Sequence, residues 1–127
     1  NIELPKLLAF HREHAGLATM TGVFPPGRFG IIQVDGKRVV NFQEKPNIRE
    51  GHVNGGFFVL EPEVFRFLSN DSLLNFEKEV LTRLANESHL SVFLHDGYWQ
   101  CMDTLRDVEF LNDEWAKGNA PWKNWKS

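Results

Sequence analysis

Three short segments carry side chains suited to chemistry on a phosphate that also bears hydroxyls. They are Phe42-Gln43-Glu44-Lys45-Pro46, Asn54-Gly55-Gly56-Phe57-Phe58 and Trp99-Gln100-Cys101-Met102-Asp103-Thr104. Lys45 offers a compact positive charge to a phosphate, and Glu44 accepts hydrogen bonds from hydroxyls. Pro46 pushes Lys45 toward extended geometry and so helps fix its direction. The same triplet also reads as a solvated strand end entering a turn. Asn54 can donate to and accept from hydroxyls, and the glycines after it allow close backbone approach to a ligand. Equally, they can mark a turn or bulge entering a core strand. Asp103 precedes a helix. It suits Mg²⁺, which takes oxygen ligands and usually only one or two from protein, or it caps that helix. Arg28, in Gly27-Arg28-Phe29-Gly30, can contact phosphate or sit idle beside a turn.

The elements that must position these residues follow from periodicity. Leu4, Leu7, Leu8, His11 and Ala15 share a helical stripe, with Pro5 in the first turn, Gly16 as the stop and His11 facing inward. Residues 17–24 read as a buried strand ending at Pro25-Pro26-Gly27. Residues 30–34 and 38–43 read as a hairpin joined at Asp35-Gly36, both residues tolerating positive φ. Residues 52–60 read as a central strand covered on both faces, and 61–68 as a short helix with Pro62 at its first position. Phe76, Val80, Leu81 and Leu84 form a second apolar stripe. Residues 90–94 and 98–102 read as short strands around Asp96-Gly97. Thr104 to Asp107 has the form of a capping box, opening an amphipathic helix with Leu105, Val108, Leu111 and Trp115. Strands and helices intermingle, so the class is α/β with some antiparallel content.

At 127 residues the chain makes one domain at most. A formal net charge of -3 supplies no broad basic field, which argues against nucleic acid as partner. No apolar run approaches the roughly 20 residues a membrane span requires, and no signal-peptide pattern opens the sequence. One cysteine rules out an internal disulfide and fits a cytoplasmic location; Cys101 itself reads as a buried thiol. The histidines are too scattered for a metal cluster by spacing. Eleven Phe and four Trp imply a well-covered sheet or an apolar face that meets something else.

The order of these elements resembles the sugar nucleotidyltransferase family over nearly the whole chain. Within it, four segments resemble the branch that joins CTP to glucose-1-phosphate: residues 25–30, 54–65, His95-Asp96-Gly97 and Ala120-Pro121-Trp122-Lys123. The resemblance implies a partial Rossmann-like, glycosyltransferase-A-like mixed sheet with flanking helices, its N-terminal nucleotide-binding half missing. It implies that Lys45 contacts the sugar phosphate, that Glu44 binds sugar hydroxyls, and that Gly30, Asn54 and Gly55 line the same pocket. Asp103 becomes one of two aspartates holding Mg²⁺. The implied products are CDP-glucose and pyrophosphate.

The glycine-rich loop, lysine and first metal aspartate with which such enzymes open do not occur in these 127 residues. The resemblance is therefore to the C-terminal half, a single-domain portion expected to be inactive alone. Exposed strand edges and aromatic rings then favour a homo-oligomer. Two other readings remain open: a non-catalytic assembly module built on the aromatic tail, and the same enzyme class with dTTP or UTP.

Overall fold

A computed structural model describes residues 1–14, 16–27, 31–43, 51–70 and 73–125 (for Ile31, the backbone only). The elements run α1 (Leu4–Glu13), β1 (Ala18–Val23), β2 (Ile31–Asp35), β3 (Arg38–Gln43), β4 (Val53–Leu60), a 3₁₀ helix (Pro62–Phe67), a π-helical segment (Phe76–Leu81), α2 (Thr82–Asn86), β5 (Leu90–His95) and α3 (Leu105–Ala116). They fall into two compact units. One comprises Asn1, Phe24–Val53 and Asp96–Ser127; the other comprises Ile2–Val23 and Asn54–His95.

The second unit holds a three-stranded sheet in the order β4-β1-β5. β1 and β5 are parallel, with Ala18 opposite Leu90 and Val23 opposite His95. β4 runs the other way. Leu17 accepts from the Glu61 amide, the Thr21 hydroxyl donates to the Phe57 carbonyl, and Val23 abuts Gly55, so one strand ascends as the other descends. The sheet is mixed, as the resemblance implies. The buried strand expected over 17–24 is β1, and it is central because it has a partner on each edge. β4, expected at the centre and covered on both faces, has only β1 as a sheet neighbour among the described residues. Several of its side chains are exposed. A run of apolar residues measures burial demand, not place in a sheet, and Phe57 and Leu60 remain in contact with solvent.

Every buried side chain among the described residues belongs to this unit. Ala18, Val64, Val80, Leu81 and Leu84 form the core, with Leu17, Phe58, Phe67, Leu74, Phe76 and Leu90 packed against it. α1 covers the sheet through Leu7 and His11. His11 is buried as expected: Nδ1 lies 2.8 Å from the Thr19 hydroxyl and Nε2 2.9 Å from a Glu61 carboxylate oxygen. One ring thus satisfies both nitrogens while tying α1 to β1 and to the end of β4.

In the other unit, β2 and β3 form a two-stranded antiparallel hairpin. Its turn is displaced from the expected dipeptide. Asp35 remains in the ladder opposite Arg38, and the loop is Gly36-Lys37, with only Gly36 at positive φ (59°). A register shift at Gln33/Val34 twists the pair, and Ile32, Val34, Val39, Val40 and Phe42 are all exposed. α3 closes the unit, and Trp115 stacks with both Trp122 and Trp125.

Candidate active-site residues

Of the residues singled out from sequence, Asn54, Gly55 and Asp103 lie within the described structure. Arg28, Gly30, Glu44 and Lys45 lie outside the described residues. Asn54 and Gly55 belong to one compact unit and Asp103 to the other.

Asp103 follows residues 98–102, a segment expected to form a strand. They form none; the chain leaves β5 at His95 and reaches α3 without ladder pairing. Just beyond them, Asp107 supplies a local partner for the amides that lead into α3. Its carboxylate accepts from the amides of Thr104 (3.0 Å) and Asp103 (3.1 Å), while the Thr104 hydroxyl accepts from the Asp107 amide (3.2 Å). This is the capping box foreseen in the sequence, and Thr104 is the cap. Asp103 is not, so the alternative reading of Asp103 as a helix cap is excluded. Its carboxylate is exposed and receives no hydrogen bond from the described residues. Cys101 is only half-buried, its thiol 4.0 Å from Asp107 Oδ2. Nearby Tyr98 has its phenol pushed above the ordinary value, by burial first and by the Glu114 charge second.

Asn54 is the second residue of β4, and both ends of its side-chain amide are bonded. Its Oδ1 accepts from the Gly56 amide at 3.0 Å, and its Nδ2 donates to a Glu77 carboxylate oxygen at 2.9 Å. Gly56 sits at φ 79° and Phe57 at φ 40°. The first suits glycine. The second strains a bulky side chain at a cost of about 1–3 kcal/mol. Gly55 has a different reason. A Cβ there would lie 2.6 Å from Val23 Cγ1, and Val23 is wholly buried and stiff at χ1. Gly55→Ala is therefore expected to lose roughly 1–3 kcal/mol of stability by overpacking. Adding Val23→Ala should recover part of that loss. Urea unfolding of the two variants checks this, and an unaltered midpoint in Gly55→Ala would show that Val23 can move aside.

Glu77 carried no signal in the sequence, because it is one of several charged residues flanking Phe76. Only the fold brings it to Asn54, 23 positions away. No group of three His, Cys, Asp or Glu among the described residues is placed to hold a metal ion.

Comparison with known proteins supplies the context. The family model described as Nucleotidyl transferase matches residues 1–114. Glucose-1-phosphate cytidylyltransferase of Salmonella typhi is 44% identical over 126 residues, which is 99% of this chain and 49% of that protein. The catalytic subunit beta of mannose-1-phosphate guanylyltransferase from Dictyostelium discoideum is 29% identical over 111 residues, 84% of this chain and 30% of that protein. A crystal structure from Bacillus anthracis, described as a glucose-1-phosphate thymidylyltransferase in complex with a sucrose, superposes with a TM-score of 0.58. It is 14% identical, over 100% of this chain and 52% of that one. The chain thus spans about half the length of the curated relatives it matches. A family match from residue 1 to residue 114, nearly the whole chain, leads to one conclusion: the chain belongs to the nucleotidyl transferase family.

Proposed function

We propose that this chain is the sugar-phosphate-binding half of an enzyme that makes CDP-glucose and pyrophosphate from CTP and glucose-1-phosphate. The observation that carries this reading is the 44% identity over 99% of the chain to a glucose-1-phosphate cytidylyltransferase. The guanylyltransferase relative is more distant at 29%, which favours CTP, although dTTP and UTP stay as alternatives within the class.

In this reading Lys45 holds the sugar phosphate, and Arg28 is a second candidate for contact with it. Glu44, Asn54 and the backbone of Gly30 and Gly55 meet the sugar. Asp103 contributes to a Mg²⁺ site. Its exposed carboxylate, uncommitted among the described residues, fits a hard cation that keeps most of its own water. When bound, the ion would neutralise charge on the reacting phosphates. The chain's residues contribute by holding an anion in place, which is most of what phosphoryl-type transfer asks of a protein. The box made by Thr104 and Asp107 engages the Asp103 amide and leaves its carboxylate free for that role. Nucleotide-sugar synthesis would place the protein in the cytoplasm. No helix among the described residues is long and apolar enough to cross a membrane.

Calorimetric titration of the chain with glucose-1-phosphate, with and without Mg²⁺ and with glucose as control, tests the reading. Phosphate-dependent binding is expected, and Lys45→Ala should weaken it at least tenfold, the scale of one charge-assisted contact. Equal affinity for glucose and its phosphate would remove the role given to Lys45.

A second reading has its own observation. Trp115, Trp122 and Trp125 stack in series beside Tyr98, and Trp115 and Trp125 are about half exposed. Such a surface suits assembly with a second copy, and a folded chain that binds no sugar phosphate would favour it.

A further inference from the structure

We infer that Glu77 is a positioning residue: it holds the Asn54 carboxamide in the orientation that receives a sugar hydroxyl. The inference rests on the proposed placement of Asn54 in the sugar-phosphate pocket. An exposed asparagine ordinarily samples several rotamers, and its O and N ends exchange places at little cost. Here neither freedom remains. Oδ1 is committed to the Gly56 amide, and Nδ2 is committed to the Glu77 carboxylate. The orientation of the amide follows from its partners, since a carboxylate can only accept and a backbone amide can only donate.

The clamp is itself supported on both sides. Beneath Asn54, Gly55 is pressed on Val23, so the backbone cannot sink toward β1. On the other side, Glu77 projects from the first turn of the π-helical segment. That turn is fixed by Asn75, whose side chain accepts from the Lys78 amide while its own amide donates to Glu79. Phe76, the residue before Glu77, packs edge-on against Phe58 of β4 with ring centroids 5.8 Å apart. The segment that carries Glu77 is therefore anchored to the strand that carries Asn54. Wide π turns recur at functional sites because they displace a side chain from the regular helical path.

What remains available is a matched set. Asn54 keeps one N–H and one lone pair on Oδ1, and both side chains face solvent. A carboxylate accepting from the amide N–H also polarises it, which strengthens Oδ1 as an acceptor. A hydrogen bond between exposed side chains adds little to stability, so its main consequence is orientation.

The test is ¹⁵N NMR of the labelled chain titrated with glucose-1-phosphate, with glucose and inorganic phosphate as controls, following the Asn54 side-chain NH₂ pair where it is present and the backbone amides of Gly55 and Gly56 in every variant. Saturable shifts are expected in the wild type. Glu77→Ala should weaken the fitted affinity roughly 3- to 10-fold with no change in the urea midpoint. Glu77→Gln, whose side-chain carbonyl still accepts from Nδ2, should stay within about twofold of wild type. Asn54→Ala/Glu77→Ala should bind no worse than Asn54→Ala alone. An Ala loss that Gln does not rescue, or one that adds in full to Asn54→Ala, overturns the positioning role. Absence of any Asn54 shift in the wild type would instead remove the sugar-site reading beneath it.

Discussion

Asp103→Ala is expected to lower Mg²⁺-dependent turnover by about three orders of magnitude while leaving folding stability within about 0.5 kcal/mol of wild type. The first figure follows from the several kcal/mol that a correctly held divalent cation contributes to charge stabilisation, each ~1.4 kcal/mol being a tenfold change in rate. The second follows from the structure. The N-terminus of α3 is capped by Thr104 and Asp107, and the Asp103 carboxylate accepts no hydrogen bond from the described residues. A residue that serves only as a cap would show the opposite pattern, losing about 1 kcal/mol of stability with little effect on rate. The measurement is initial rate across a Mg²⁺ series, made on a polypeptide of the relatives' full length that carries this chain. Urea unfolding of the same preparations separates the two effects. Turnover within tenfold of wild type at saturating Mg²⁺ would sink the metal role.

The largest effect on stability is expected from Leu84→Ala, at about 2–5 kcal/mol. Leu84 is wholly buried on α2 and packs with Ala18, Val64, Val80 and Leu81. Removing its isobutyl group forfeits the transfer energy of that surface and leaves a cavity. The surrounding β-branched residues, stiff at χ1, can fill it only in part. Few side chains are wholly buried among the described residues, so each carries a large share of a stability that totals only about 5–15 kcal/mol in ordinary domains. Leu105→Ala is the control. Leu105 is 74% exposed on α3, and its loss should cost no more than about 0.5 kcal/mol. Circular dichroism during urea unfolding would distinguish them, and a Leu84→Ala loss below 1 kcal/mol would mean that the core around α2 is loosely packed.

Local chemistry was legible where a few adjacent residues decide the outcome. The capping box needs only Thr104 and Asp107 three positions apart, and α3 begins there. Residues 17–24 carry no charged side chain, which suits a buried strand, and β1 is the central strand. His11 falls on the inner stripe of α1, and its ring is buried. The hairpin was legible too, but its turn moved by one residue. Asp35 gains a ladder partner in Arg38, whereas a place in the loop would have left its backbone unpaired.

Strand order was not legible. The aromatic run of β4 carries the same local signal whether its neighbours lie on one side or on both. Which edge it occupies depends on pairings with residues far away in the chain. Residues 98–102 show the same dependence: an apolar local pattern makes a strand only where a neighbouring strand receives it, and they join no ladder among the described residues. By itself the sequence determined the α/β class, the helix starts, the family, and the candidate set of Lys45, Glu44, Asn54 and Asp103, because each depends on residue types at short spacing. Tertiary structure alone decided why Gly55 is glycine and that Glu77 meets Asn54. Gly55 lies against Val23 and Asn54 against Glu77, residues that only the fold brings together, and no spacing along the chain encodes either contact.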